Sequence, residues 1–371
     1  MDPMQIIFDS DSSSSSSSHS DDELKAVISN LFLPELLKDV SKNNNFCEET
    51  VPSYTDKQFV EHFRVSRQIV ATLKRDFEES EFYSKKDTGF QRIDSEKCIL
   101  AFLWFTSNEG AAFRDVADRF DLSMSILHGI VNIVHFLSNL SRSVIVWPLA
   151  PEANNIARIF AEMRFPGAIG CIDGSHIKID TPREDPDSYL NRKKFHSIQI
   201  SGKFVQYPAI LCQYMQVICD DNRKIKDVFI GYPGSVHDAR VFRNSPLCQN
   251  LGQWCKDWVI LGDSAHPCLR NLLTPYKETG SLSQVQKSVN KKLSHCRVLI
   301  EHTIGLLKQR FRQLYHFKSR DIKFICHFIR ACCVLDNLCI DSNVVLDEAV
   351  DVGDEGNENP FNDHVQYDGH N

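Results

Sequence analysis

No run of apolar residues approaches the roughly 20 that a membrane span needs, and the first residues lack the basic, apolar pattern of a signal peptide. Both absences predict an intracellular protein with no membrane segment. C-x-x-C spacing is missing too, although there are 13 cysteines, so a zinc ribbon or knuckle has no ligand set to stand on. The cysteines are scattered among apolar neighbours, as at Cys98, Cys212, Cys219 and the adjacent Cys332 and Cys333, which reads as buried reduced thiols. Lys and Arg are absent from residues 1–22 and 341–371, which hold five and nine acidic residues respectively. Residues 281–330, by contrast, carry 11 Lys or Arg against only Glu301 and Asp321. The net charge of −7 over 371 residues therefore conceals a cationic middle between two acidic ends.

The chain is long enough for two domains, and its 42% hydrophobic and 25% charged content is that of a globular protein. Residues 1–22, with an unbroken run of seven Ser, read as a disordered, solvated tail. Residues 23–54 form a linker with a short amphipathic piece around Leu24–Leu37, suited either to docking on the body or to a partner. From 55 to 161 the apolar spacing is mainly helical. Asp56 opens a capped helix, Ser66 caps Arg67–Phe77, and Ser95–Thr106 is a helix buried around much of its circumference. Val116, Ala117 and Phe120 then make a short apolar face. A turn at Leu122-Ser123 leads into a second helix through Ile126, Leu127, Ile130 and Val131. That is helix-turn-helix spacing, equally compatible with DNA contact and with plain helical packing.

The region 162–340 changes period. AIGCIDG reads as an apolar strand that stops at Asp173, residues 195–204 as a second, 209–220 as a third with a turn at Asp221-Asn222, and DVFIGYPG as a further one. Ser235 can cap a helix with Asp238 in its first turn. Trp258–Leu261 is a short buried strand followed by Gly262-Asp263, again a carboxylate after an apolar run. Ser294–Leu314 and Ile322–Leu338 are helices, and residues 341–371 form an acidic disordered tail. Strands followed by a helix, a strand and a helix, with carboxylates at two strand ends, predict an α/β (α+β) chain whose C-terminal part is RNase H-like, behind a helical, helix-turn-helix-like domain.

Burying Asp173 unpaired costs several kcal/mol. A divalent metal with oxygen ligands would compensate it. Asp263 occupies the equivalent place after the apolar strand Trp258–Leu261, and strand ends in one sheet can lie side by side. Glu301, in an apolar and basic helix, is the candidate third carboxylate. Such a triad could hold two ions about 4 Å apart, which activate a water and stabilise the leaving oxygen in phosphodiester cleavage. Asp238 is the competitor for the second position. Arg297, four residues before Glu301, and Lys308, seven after it, return to nearly the same helix face, where a phosphate backbone would need cations. The bland reading is a surface helix with an ordinary Arg–Glu pair. Arg192, Lys193 and Lys194, flanked by Tyr189 and Phe195, suit a nucleic-acid backbone or, equally, a charged hairpin edge.

CIDGSH, YLNRKKFHSIQ, GYPGSVHDARVFRNS, LGDSAHP and CRVLIEHTIGLLKQRF, in this order between about Arg164 and Leu338, closely resemble the DDE nuclease domain of PIF/Harbinger transposases and the nucleases derived from them. Arg297, Glu301 and Lys308 also resemble, more remotely, the R-x3-E-x6-K signature of bacterial insertion-sequence transposases, with Ser294 in place of its Tyr. The resemblance implies a catalytic and metal-binding triad of Asp173, Asp263 and Glu301, Mg²⁺ or Mn²⁺ as cofactor, DNA as substrate, a separate Myb-like DNA-binding partner and a nuclear location, with the cytoplasm as the alternative. In LGDSAHP, His266 stands where the family usually has Tyr. The expected function is thus a metal-dependent endonuclease. The alternative is a catalytically silent DNA-binding or adaptor protein that keeps the fold; the oligomeric state is open.

Overall fold

A computed structural model describes residues 45–83, 93–122, 126–180, 214–230, 238–278 and 280–346. The expectations for both tails, for most of the linker, for a strand at 195–204, for the Ser235 cap and for Arg192, Lys193 and Lys194 lie outside these residues.

The helical part begins with a turn at Phe46–Ser53 and continues through α1 (Asp56–Phe63), α2 (Arg67–Glu79), α3 (Ser95–Ser107), α4 (Phe113–Arg119), α5 (Ile126–Val144) and α6 (Ala150–Glu162). Their starts follow side-chain chemistry. Thr55 forms a reciprocal capping box with Gln58, Ser66 accepts from the Ile69 amide, and Asp94 accepts from the Lys97 amide. As its unbroken apolar sequence predicts, α3 is buried on nearly every side, from Cys98 to Ser107 with only Trp104 partly open. Helices α4 and α5 cover the two stretches read as helical; residues 123–125 between them lie outside the described set. Leu127, Ile130, Val131 and Val134 bury the inner face of α5.

The strands are β1 (Ala168–His176), β2 (Lys178–Ile179), β3 (Tyr214–Cys219), β4 (Ile225–Ile230), β5 (Val259–Leu261), β6 (Leu272–Leu273) and β7 (His316–Phe317). Helices α7 (Asp238–Asn244) and α8 (Pro246–Cys255) separate β4 from β5. Helix α9 (Gln284–Arg310) follows β6, and α10 (Ile322–Asp341) follows β7. Five strands form one mixed sheet in the order β4-β3-β1-β5-β6, antiparallel from β4 to β1 and parallel from β1 to β6. Strands β2 and β7 pair separately.

Two details of the sequence reading change. Strand β1 does not stop at Asp173: antiparallel β3 continues alongside it, pairing Asp173 with Val217 and His176 with Tyr214. Helix α9 starts ten residues before Ser294, because Ser283 and Gln286 form a capping box there, and it ends at Arg310.

Alternation along the strands feeds two apolar layers. Cys171, Val217, Cys219 and Leu261 join the larger core, shared with α9, α10 and the N-terminal helices. Ile172, Ile218 and Ile260 turn to the other face and pack on Phe242, Leu247 and Leu251 of α7 and α8. Gly170 allows the close approach of β1 to β3, since a Cβ there would lie 2.7 Å from the Cys219 carbonyl oxygen. Cys98, Cys171, Cys219, Cys255, Cys296, Cys332, Cys333 and Cys339 are buried free thiols as expected, whereas Cys47, Cys248 and Cys326 are half-buried and Cys268 is exposed; Cys212 lies outside the described residues. Among the described residues no helix is long and apolar enough to cross a membrane.

Candidate active site

Strand register brings the Asp173-Gly174 and Gly262-Asp263 pairs together. Cys171 of β1 pairs in parallel with Leu261 of β5, and Asp173 and Asp263 each lie two residues further on. Asp173 shares its face of the sheet with Cys171, whose thiol donates to the Cys296 carbonyl of α9 at 3.3 Å. Both therefore point towards α9, which buries Leu293, Cys296, Ile300, Ile304 and Leu307. Arg297 and Glu301 flank that stripe.

The guanidinium of Arg297 lies between carboxylates: one terminal nitrogen is 3.3 Å from Asp173 Oδ2 and 3.5 Å from Glu301 Oε1. The Gly174 amide donates to Asp173 Oδ1 at 2.7 Å. Asp263 is held by its own turn, accepting from the Ala265 amide at 3.0 Å, with His266 Nδ1 2.6 Å from the same Oδ1. His266 is buried, its ring edge-on to Phe242 at 5.9 Å. A Cβ on Gly262 would sit 3.2 Å from Ile172 and Leu272 side chains and 3.4 Å from His266, so a larger residue would make these neighbours give by a few tenths of an ångström.

These surroundings drive the two aspartates apart. Burial raises Asp173 to about 6, with the nearby Asp263 adding to the rise and Arg297 and the Gly174 amide opposing it. Burial also acts to raise Asp263, but the His266 hydrogen bond, the imidazole's charge and Arg297 outweigh it and leave its carboxyl below the ordinary value. Arg297 Nε and His266 Nε2 are buried without a hydrogen-bond partner among the described residues.

Of the expected site, then, Asp173, Asp263, Glu301 and Arg297 converge. Asp238 begins α7, and its side chain lies outside the described set. Lys308 is buried, its ammonium donating to the His176 carbonyl at 3.1 Å, so it ties α9 to the end of β1 instead of standing on the surface. The sequence reading missed the part of His266. Its i, i+3 spacing from Asp263 within a Gly-led turn was the available signal.

Among the described residues no three His, Cys, Asp or Glu side chains are gathered as a ready metal cage. The donors nevertheless suit a hard divalent cation: two carboxylates at one register position, one of them raised by burial, and a third tied in through Arg297. Mg²⁺ needs only a few such oxygens, completing its shell with water and phosphate.

Asp173, inside β1, and Asp263, just past β5, are thus set side by side beneath a helix that bears Glu301. Residues 172–337 match the DDE superfamily endonuclease family. The chain is 28% identical over 256 residues to the Mus musculus protein named "Putative nuclease HARBI1", covering 67% of this chain and 68% of that protein. The Homo sapiens protein of the same name is 27% identical over 257 residues, with the same coverage. The Arabidopsis thaliana "Protein ALP1-like" is 24% identical over 311 residues, 77% of this chain and 71% of the relative. No solved structure matches. The resemblance to Harbinger-derived nucleases read from the motifs holds.

Proposed function

We propose that this protein is a divalent-metal-dependent DNA endonuclease of the DDE transposase type, derived from a transposase and working by a two-metal mechanism. What carries the reading is the common register of Asp173 and Asp263, two residues past the Cys171–Leu261 pair, under the helix that bears Glu301. Asp173, Asp263 and Glu301 would hold Mg²⁺ or Mn²⁺, with Asp238 the competitor. A bound divalent cation supplies Lewis acidity that activates water and stabilises the departing oxygen of a phosphodiester.

The chain's own groups prepare that chemistry. His266 orients the Asp263 carboxylate and helps keep it ionised at neutral pH. Arg297 keeps Asp173 and Glu301 together and offers a planar fork of donors to a phosphate. An RNase H-like domain at 162–340 belongs to this proposal, supported by three antiparallel strands extended on one side by two parallel ones. So does a helix-turn-helix-like domain at 55–161, together with DNA as substrate, a Myb-like partner that reads sequence, and a nuclear location.

The test is nicking of supercoiled plasmid with Mg²⁺ or Mn²⁺. Cleavage by the native protein and its loss in Asp173→Ala are expected. Cleavage that persists in Asp173→Ala refutes the site, and absence of cleavage with either metal favours the silent adaptor.

A further inference from the structure

Helices α5 and α10 pack along one another, and a cavity of about 180 Å³ opens between them. Beside Phe82, its wall carries polar side chains where such a contact is ordinarily apolar. Along α5, His135, Ser138, Asn139 and Arg142 fall at i, i+3, i+4 and i+7, one continuous stripe. Along α10, His327 and Arg330 fall at i and i+3 and face that stripe. None of these residues belongs to the carboxylate site, and no carboxylate lines the cavity among the described residues.

The groups are already organised. Ser138 Oγ lies 2.9 Å from His327 Nδ1, and Arg330 reaches the same hydroxyl at 3.5 Å. The His135 ring stands edge-on to that of His327 at 4.6 Å. Burial first, then the positive charge of His135, Arg330 and Lys323, holds the His327 imidazole neutral, with its pKa lowered to about 3. Arg330 is buried and Arg142 is exposed at the mouth, so one guanidinium forms the floor and the other the rim. Guanidinium forks, an amide, a hydroxyl and imidazole nitrogens converging on one small cavity make a donor set for a tetrahedral oxyanion.

We propose that the cavity between α5 and α10 is a phosphate-binding site, formed by His135, Ser138, Asn139, Arg142, His327 and Arg330, separate from the nuclease carboxylates. The phosphate is either free or part of a nucleic-acid backbone, and the test separates these sources. Full-length protein in EDTA is titrated calorimetrically with inorganic phosphate and, separately, with a short DNA duplex. In parallel, the His135 and His327 imidazole resonances are followed by NMR. Saturable phosphate binding that moves both resonances is expected, weakened about tenfold in Arg142→Gln, the loss of one charge-assisted contact. Asp173→Ala is expected to bind phosphate as the native protein does, so failure of the nuclease reading leaves this result standing. Equal weakening of duplex binding in Arg142→Gln identifies the backbone as the source; an effect on inorganic phosphate alone identifies the free anion. Absence of millimolar phosphate binding, or unchanged affinity in both Arg142→Gln and His135→Gln, overturns the proposal.

Discussion

Replacing Asp173 by Asn is expected to make the metal-free protein more stable while removing its chemistry. Burial raises the Asp173 carboxyl from 3.8 to about 6 in the folded chain. The folded state therefore holds this proton more tightly than the unfolded state does. The resulting stabilisation is complete below about pH 4 and is lost as pH rises through about 6. Above that, the ionised carboxylate costs the fold on the order of 3 kcal/mol, at roughly 1.4 kcal/mol per pH unit. That figure already includes the help of Arg297 and the Gly174 amide, and the side chain is only 19% exposed, so solvent relieves little of it. Asn keeps the shape and has no proton to lose. Urea unfolding in EDTA should thus show near-equal stability at pH 4, and at pH 7.5 the Asp173→Asn variant should be the more stable by about 2–3 kcal/mol. Mn²⁺ should then stabilise the native protein and leave Asp173→Asn unmoved, because ligand binding to the folded state adds stability only where the ligand binds. A variant no more stable than the native protein at pH 7.5 would refute the reasoning.

Other perturbations act on neighbouring groups. His266→Phe should lower Mn²⁺ affinity by about 10- to 100-fold, as loss of an orienting partner does elsewhere, measured by calorimetry. Its Asp263 carboxyl should rise, since the imidazole is the chief opponent of burial there; an unchanged affinity would show that the 2.6 Å contact does not position Asp263. Arg297→Ala should bind Mn²⁺ more tightly, by removing the cation that competes for Asp173 and Glu301, yet bind duplex DNA more weakly; weaker binding of both would contradict this. Asp336→Ala, which strands the buried Arg310 guanidinium now 2.9 Å from its carboxylate, should cost about 3–5 kcal/mol in urea unfolding. A cost below about 1 kcal/mol would mean that Arg310's contacts with the Arg64 and Val344 carbonyls suffice.

Much of the architecture was legible because local chemistry and the apolar pattern agree. Thr55, Ser66 and Asp94 each cap the helix they precede, and the Asp221-Asn222 turn does join two strands. The strand end at Asp173 was misjudged because a charged residue followed by glycine looks like a stop. Pairing with β3 is a long-range fact that no local window contains. The start of α9 was late for a related reason: Gln284–Leu293 is polar enough to pass for a loop, and only the Ser283–Gln286 capping box marks it as helix.

The site was legible in its carboxylates and illegible in its cations, and the physical cause is the same in each case. An aspartate beside a glycine after an apolar run has few reasons to exist, so its position in the sequence already marks it as a candidate. A Lys or Arg on a helix has many reasons to exist, and its partner is chosen by packing. Arg297 and Lys308 share a helix face with Glu301, and both read as cations for a phosphate backbone. Once α9 lies across β1, both cations turn inward from that face: Arg297 bridges Asp173 and Glu301, and Lys308 closes on the His176 carbonyl. Long basic side chains turn inward when a nearby carboxylate or carbonyl gives a better partner than water, because the apolar stem packs while the head stays paired. The positive charges at this site therefore serve first to hold the strand ends against the helix. Any contact they make with a phosphate has to be exchanged for a contact within the protein, which is why Arg297, poised between two carboxylates, is the residue where metal and DNA affinity should move in opposite directions.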